Sequence, residues 1–296
     1  MKLVRKIEIT DSTLGSTTAV ETVALYNAGT TYALGAQARS DTTHRIYESL
    51  AAGNVGNALT DTTKWLDIGP TNVWAMFDDM NSSQTVAAST LSVEFSPGER
   101  LDHIGLINIT ATSAQVTAEH ATDGVVFDET FDLVSTSGIV DWYTYFTEPI
   151  EVETDFIVDG LPALYADLTI TVSLSYPGQT VRCGSLVAGV AKILGDTEFG
   201  FTTGIIDRSK KDEDVYGNIS ILERGYSNKA SFSVTLDNAN VVSVQRLLGD
   251  YRGKAALYIG TGRYSNTFLY GLFRDFSIVV QTPVQATLAI ECENLI

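Results

Sequence analysis

The sequence predicts a mainly β protein made of tandem antiparallel β domains. Apolar and polar residues alternate with a period of two in several segments, namely 150–156, 168–176, 230–236 and 286–292. This alternation is typical of strands that bury one face. Gly, Pro, Asn and Asp cluster between the segments, as in turns that join short antiparallel strands. Helical periodicity is visible in one segment.

Turn residues also mark two domain boundaries, near Gly69-Pro70 and near Tyr176-Pro177-Gly178. They divide the chain into residues 1–70, 71–177 and 178–296. The first range combines an N-terminal strand with a small unit. In the second, Leu91, Val93 and Phe95 form one inward set, and further strands run through 104–109 and 168–176. This pattern fits a jelly-roll sandwich.

The third range predicts a β-sandwich with one short helix at about residues 238–248. Asp237 or Asn238 stands where an N-terminal cap belongs, and Gly249 where a helix stop belongs. Four apolar residues between them share one helical face: Val241, Val244, Leu247 and Leu248. We expect this helix to pack against the C-terminal sandwich.

Acidic residues are concentrated in the middle of the chain. The formal charge of the 296 residues is −17, from 36 Asp and Glu against 19 Lys and Arg. Counted along the sequence, residues 1–100 carry −4 (7 basic, 11 acidic), residues 101–181 carry −13 (0 basic, 13 acidic) and residues 182–296 carry 0 (12 of each). Phosphate binding needs a basic surface, so the charge argues against direct nucleic-acid binding.

The two cysteines, Cys183 and Cys292, form no CxxC pair, so neither a disulfide framework nor a thiolate zinc site is expected. The N-terminus lacks the apolar run of a secretory signal. The longest weakly polar stretch, 184–195, is too short to span a bilayer. We therefore expect a protein without membrane insertion that is made in a reducing compartment.

Catalytic motifs such as GxSxG, HExxH and a P-loop do not occur in the sequence. Asp102 and His103 are adjacent, and neighbours on a strand point to opposite faces, so they are expected to make a poor catalytic pair. The middle carboxylates admit two interpretations. They could bind Ca²⁺ or act as a glycosidase acid pair, but Glu151, Glu153 and Asp155 alternate with apolar residues and favour a solvated strand face. The cluster 210–214 is interpreted as an exposed loop. The sequence predicts no catalytic residue, no metal and no cofactor.

Aromatic residues are concentrated between Tyr26 and Trp65, in particular Tyr32, Tyr47 and Trp65. Flat aromatic rings can stack on the apolar faces of sugars. In so small a unit they can equally form its core. Both interpretations remain open from the sequence.

Residues 26–65 resemble the small chitin-binding type of carbohydrate-binding module, which has a YxxGxxY-like turn, a central strand with a tyrosine and a closing tryptophan. The segment 69–78, together with Arg45-Ile46-Tyr47-Glu48-Ser49, resembles virion proteins of tailed bacteriophages, particularly tail-tip and baseplate components. In those proteins such a module precedes a jelly-roll domain. The C-terminal range also resembles phage tail proteins, in residues 207–209, 216–218, 223–224 and 270–276. It looks like the tube-type domains that form a ring around a tail axis.

The resemblance implies a non-enzymatic structural protein of the phage tail tip or baseplate, made in the cytoplasm of the bacterial host and located in the virion. The implied partners are other tail and baseplate proteins and further copies of the chain, in a ring of three or six. The alternative is an adhesin that binds host surface glycans, with Tyr32, Tyr47 and Trp65 as the stacking residues. A third hypothesis is a polysaccharide-degrading enzyme with an acid pair among the carboxylates.

Overall fold

The structure, a computed structural model, describes residues 1–135, 139–149, 151–213 and 216–295. The strands are β1 (Lys2–Lys6), β2 (Leu14–Thr17), β3 (Gln37–Arg39), β4 (Arg45–Ser49), β5 (Trp65–Pro70), β6 (Thr85–Phe95), β7 (His103–Thr110), β8 (Ser113–His120), β9 (Gly124–Asp132), β10 (Val134–Ser135), β11 (Glu151–Val152), β12 (Asp155–Asp159), β13 (Thr169–Ile193), β14 (Asp196–Thr197), β15 (Thr202–Asp207), β16 (Lys210–Glu213), β17 (Ile219–Leu222), β18 (Tyr226–Asp237), β19 (Ala256–Ile259), β20 (Phe268–Val280) and β21 (Gln285–Asn294). The α-helices are α1 (Trp142–Thr147) and α2 (Val241–Asp250), and short 3-10 helices lie at Ala75–Phe77, Asn238–Asn240 and Ser265–Thr267.

The mainly β, antiparallel class is confirmed. One large sheet follows the order β12-β7-β13-β1-β19-β20-β21-β18-β14, and β2, β6, β8, β9 and β15 attach to it. Three smaller sheets are β3-β4-β5, β10-β11 and β16-β17. The segment 150–156, expected as one strand, is divided into β11 and β12, and its first residue, Ile150, lies outside the described residues.

β13 connects the two large parts of the molecule because it is 25 residues long. Its first half pairs with β6 and β8, and its second half with β6, β7 and β1. The boundary expected at Tyr176-Pro177-Gly178 falls inside this strand, where the register with β6 shifts between Ser175 and Thr180. The turn residues there therefore form a β-bulge, and the chain continues as the same strand.

β1 and β2 do not belong to the small unit, although the expected boundary at residue 70 grouped them with it. β1 lies in the large sheet between β13 and β19, and β2 pairs with β6. The small unit therefore begins after them and contains the sheet β3-β4-β5. Its junction with the large sheet includes the stacked rings of His44 and Trp74, whose centroids are 4.0 Å apart.

Two main cores fill the large parts. The middle core is formed by β6, β7, β8 and β13, and the C-terminal core by β18 to β21 and α2. A third, smaller cluster joins them and consists of Val4, Ile107, Val187, Leu257, Ile259 and Tyr270. We call it the seam cluster. Because β1 contributes Leu3 to the C-terminal core and Val4 to the seam cluster, alternate residues of one strand pack on both sides.

The predicted helix is present, but its ends differ. A 3-10 turn precedes α2, and neither Asp237 nor Asn240 makes a side-chain capping hydrogen bond. The helix continues through Gly249 to Asp250. Val244 and Leu248 are buried, as the periodicity predicted. The second helix, α1, was not predicted, and the jelly-roll assignment stays a prediction.

β7 and β13 change the face that they present to the middle core at Asn108 and Gly184. Asn108 has a φ of 53°, in the left-handed region. A Cβ at Gly184 would lie 2.8 Å from the carbonyl oxygen of Asn81 and 2.9 Å from the Cβ of Asn108. Only glycine fits this approach without a shift of its neighbours. The buried Asn81 side chain donates to the carbonyl of Leu295 (3.0 Å) and accepts from Ser185 (2.8 Å), so the middle part is tied to the C-terminus here.

Candidate functional site

The residues predicted to stack on sugar lie largely inside the small unit. Tyr32 is 9% exposed and Trp65 is 2% exposed, and their ring centroids are 5.0 Å apart in an edge-to-face arrangement. The Trp65 indole donates to the carbonyl of Asn57 (3.1 Å). Tyr47 is half-buried beside them. The burial of Tyr32 and Trp65 supports the interpretation that they form the core, because a unit of three short strands has to bury its large rings to have one. Sugar stacking by these residues stays a prediction.

The structure brings Asp102 and His103 together, against the expectation from the sequence. Asp102 precedes the first residue of β7, so strand alternation does not separate the two side chains. His103 Nδ1 lies 2.6 Å from Asp102 Oδ1, and His103 Nε2 lies 3.1 Å from Lys2 Nζ. An ammonium group can only donate, so Nε2 accepts and the Nδ1 proton is donated to Asp102.

This arrangement leaves no ring nitrogen of His103 free to act as a general base. Asp102 Oδ1 also accepts the amide proton of Ala191 at 2.8 Å. The three side chains therefore tie β1, β7 and β13 together. Lys2 and His103 border a cavity of about 510 Å³, which Asp159 and Tyr264 also line. Lys2 and Asp159 form a loose ion pair at 3.9 Å, so charges of both signs face this cavity.

The middle carboxylates do not share one environment. Glu151 is exposed, as expected for a solvated strand face. Asp155 is mostly buried and accepts the amide proton of Asn108 at 2.9 Å, so the solvated-face prediction is wrong for this residue. Burial raises the pKa of the Asp155 carboxyl. Within the described ranges, no group of three or more His, Cys, Asp or Glu side chains could hold a metal ion. Asp214 of the 210–214 cluster lies outside those ranges.

Cys183 and Cys292 are both buried and free. Burial raises the pKa of Cys183 to about 12 and also raises that of Cys292. Thiols with such pKa values remain protonated near neutral pH and are poor nucleophiles. Both side chains belong to the main cores, where they act as small apolar residues.

The first exposed apolar surface lies on α1. Its four large aromatic side chains are between 58% and 79% exposed, namely Trp142, Tyr143, Tyr145 and Phe146. We call this set the α1 surface. Asp141 caps the helix by accepting from the amide of Thr144 at 2.8 Å, and the Thr144 hydroxyl accepts from the amide of Asp141 at 3.0 Å. This capping box explains how so short a helix starts, but no residue of the helix is buried.

The second exposed apolar surface is the hairpin formed by β16 and β17. Ile219, Ile221 and Leu222 are 66%, 63% and 56% exposed. Across the hairpin, Ile219 lies opposite Glu213 and Ile221 opposite Lys211. Within the described part of the chain, β16 and β17 pair only with each other. We call the segment Lys210–Leu222 the hairpin arm, of which residues 210–213 and 216–222 are described.

The sequence contained partial signals for both surfaces. The aromatic run Trp142-Tyr143-Thr144-Tyr145-Phe146 is visible in it, but no polar face alternates with the rings, so periodicity indicated neither helix nor burial. In the hairpin arm, residues 210–213 of the cluster that was expected to be an exposed loop form the exposed strand β16. The two isoleucines of β17 are two positions apart, as in a strand.

Comparison with known proteins gave no relative: no protein-family model matches the chain, and no curated protein matches it. No helix among the described residues is long and apolar enough to cross a membrane.

Proposed function

We propose that this chain is a non-enzymatic structural component of a tailed-phage virion, in the tail tip or baseplate, and that it assembles through its C-terminal part. The observation that carries the proposal is the hairpin arm. An isolated two-stranded hairpin is at best marginally stable in water, and exposed apolar clusters mark protein interfaces. A partner that covered Ile219, Ile221 and Leu222 would account for the presence of an isolated hairpin and for its exposed apolar side chains.

The charge distribution supports assembly through this part of the chain. Residues 182–296 carry equal numbers of acidic and basic side chains, whereas residues 101–181 carry 13 acidic side chains and no basic one. A neutral surface is less costly to desolvate against a partner than a strongly charged one. The partners proposed are other tail or baseplate proteins and further copies of this chain in a ring of three or six.

The assignment to a phage tail rests on the resemblance of residues 45–49 and 69–78 and of the C-terminal range to virion proteins. Its test is mass spectrometry of purified particles of the phage that encodes the chain. Peptides of the chain are expected at a constant ratio to a known tail protein. Their absence from purified particles would rule out the virion role.

Variants of the hairpin arm test the route of assembly. The double substitution Ile219→Asp and Ile221→Asp is expected to leave the thermal unfolding temperature unchanged, because both side chains are exposed, and to reduce incorporation into particles at least about tenfold. Val125→Asp is the matched control, since Val125 is an exposed apolar strand residue at 58% in the middle part. Normal incorporation of the arm variant would show that the arm is not the assembly surface.

A further inference from the structure

A polar cleft of about 270 Å³ lies where the middle and C-terminal parts meet. β7 and β12 supply one wall, with Asn108 and Asp155, and β18 and β21 supply another, with Asn228 and Asn294. Small-molecule sites occur preferentially at such junctions between structural units. The volume is below the range of about 300–1,000 Å³ typical of drug-sized ligands, so the cleft suits a single small ring.

Several hydrogen-bonding groups of this cleft have no partner in the part of the chain that the structure describes. Among the described residues, the side-chain amides of Asn228 and Asn294 and the hydroxyl of Ser82 make no hydrogen bond. The carbonyl oxygen of the Asn294 side chain is buried as well as unpaired. An unsatisfied buried acceptor destabilises the folded state, and a donor from a ligand would remove that cost.

The charge and the aromatic content of the lining restrict the ligand class. Asp155 is the one carboxylate among the lining residues, and no Lys, Arg or His lines the cleft. An anionic ligand would therefore meet a like charge without a compensating cation. Tyr226 is 60% exposed at the cleft, so one of its ring faces is available for packing.

We propose that this cleft binds one neutral sugar residue, with the amides of Asn228 and Asn294 and the carboxylate of Asp155 bonded to its hydroxyls and Tyr226 packed on its apolar face. Side-chain amides both donate and accept, as hydroxyl groups do, so adjacent hydroxyls of a pyranose can satisfy both functions of one amide. The ring of a tyrosine offers a flat apolar surface that matches the C–H face of a sugar. This site differs from the small unit, where Tyr32 and Trp65 are buried.

The proposal goes beyond an architectural role and does not depend on it. No residue of the hairpin arm lines the cleft. A variant that loses sugar binding is therefore expected in particles at the normal level, and failure of one proposal leaves the other standing.

The test is saturation-transfer NMR of the full chain with methyl glycosides of glucose, galactose, mannose and N-acetylglucosamine as neutral probes. Glucuronate and arginine serve as the anionic and cationic probes. We expect millimolar binding of at least one neutral glycoside, weakened about tenfold or more by Asn228→Ala and by Tyr226→Ala and largely kept in Tyr226→Phe. Both residues are exposed, so unchanged unfolding temperatures are expected to show that the variants remain folded.

Tyr143→Ala is the matched control because Tyr143 is an exposed tyrosine of the α1 surface, outside the cleft. It is expected to bind as the wild type does. Loss of binding in Tyr143→Ala with normal binding in Tyr226→Ala would move the sugar site to α1 and overturn the proposal. Binding of arginine without binding of any neutral glycoside, or no binding of any probe, would overturn it as well.

Discussion

Asp155 shows how one buried carboxylate couples the polar cleft to the pH dependence of folding. Burial raises its pKa above the usual aspartate value of about 3.9, and the hydrogen bonds from the Asn108 amide and the Thr154 hydroxyl only partly offset this effect. In the interval between the unfolded and folded pKa values, the folded state binds more protons than the unfolded state. The stability contribution of Asp155 therefore decreases as pH rises through this interval and stays low above it.

Asp155→Asn is expected to raise the unfolding temperature near neutral pH, because the amide removes the buried charge while its oxygen can still accept from Asn108. The gain is expected to vanish below about pH 3.9, where the wild-type carboxyl is protonated in both states. Thermal unfolding of both proteins across this range measures the difference. Glu151→Gln is the control, since that carboxylate is exposed. A gain that is independent of pH, or a loss at neutral pH, would contradict the assigned cause.

At the scale of single residues, the sequence predicted what a side chain can do chemically better than it predicted how deeply the side chain is buried and which groups surround it. The positions of Tyr32 and Trp65 in the sequence fit both a sugar-binding surface and a core. The packing of the three short strands around these rings, which favours the core, is visible only in the structure. Asp102 and His103 were expected to point apart, yet Asp102 lies before the strand begins, where alternation does not apply. Such outcomes depend on where an element ends, which is the least determined feature of a sequence.

At the scale of elements, period-two alternation identified the strands that bury one face. β18 and β21 follow the predicted segments closely, and the first half of β13 buries every second residue. The second half of β13 is buried continuously from Cys183 to Gly189, so alternation is absent there. Pairing partners could not be predicted, because alternation specifies a face and not a neighbour.

Substitutions in the α1 surface are expected to change the surface hydrophobicity of the protein without changing its free energy of unfolding. Trp142→Gln and Phe146→Gln are expected to change the free energy of unfolding by less than about 0.5 kcal/mol, because neither side chain packs in a core. The same substitutions are expected to shorten retention on a hydrophobic-interaction column, since they remove exposed aromatic area.

Phe131→Gln provides the contrast in a matched residue type. Phe131 packs against the middle core, with its ring centroid 5.0 Å from that of Phe156. Its replacement is expected to lower the free energy of unfolding by about 1–3 kcal/mol, through lost burial and an added buried amide. A comparable loss in the α1 variants, measured by denaturant titration, would mean that the α1 rings pack within the chain.

At the scale of the whole molecule, β1 and β13 make the two large cores interdependent. β13 runs from the middle core to its pairing with β1, and β1 pairs with β19 of the C-terminal sheet. The seam cluster has almost no space to spare. A Cβ at Gly189 would lie 1.8 Å from the carbonyl oxygen of Arg5, and one at Gly105 would lie 2.5 Å from a methyl group of Leu257. Unfolding of either core would therefore expose the apolar face of the strands that both share.

We expect the middle and C-terminal parts to unfold in one cooperative transition. Val116→Ala in the middle core, Val234→Ala in the C-terminal core and Val187→Ala in the seam cluster each delete buried methyl groups, at a cost of about 1–3 kcal/mol. In differential scanning calorimetry all three variants should shift the same main transition downward, with equal calorimetric and van't Hoff enthalpies for that transition. The small unit has its own core around Trp65, so a minor separate transition is compatible with this expectation. Two large transitions, one moved by Val116→Ala and the other by Val234→Ala, would show instead that the cores fold independently and that β13 only links them.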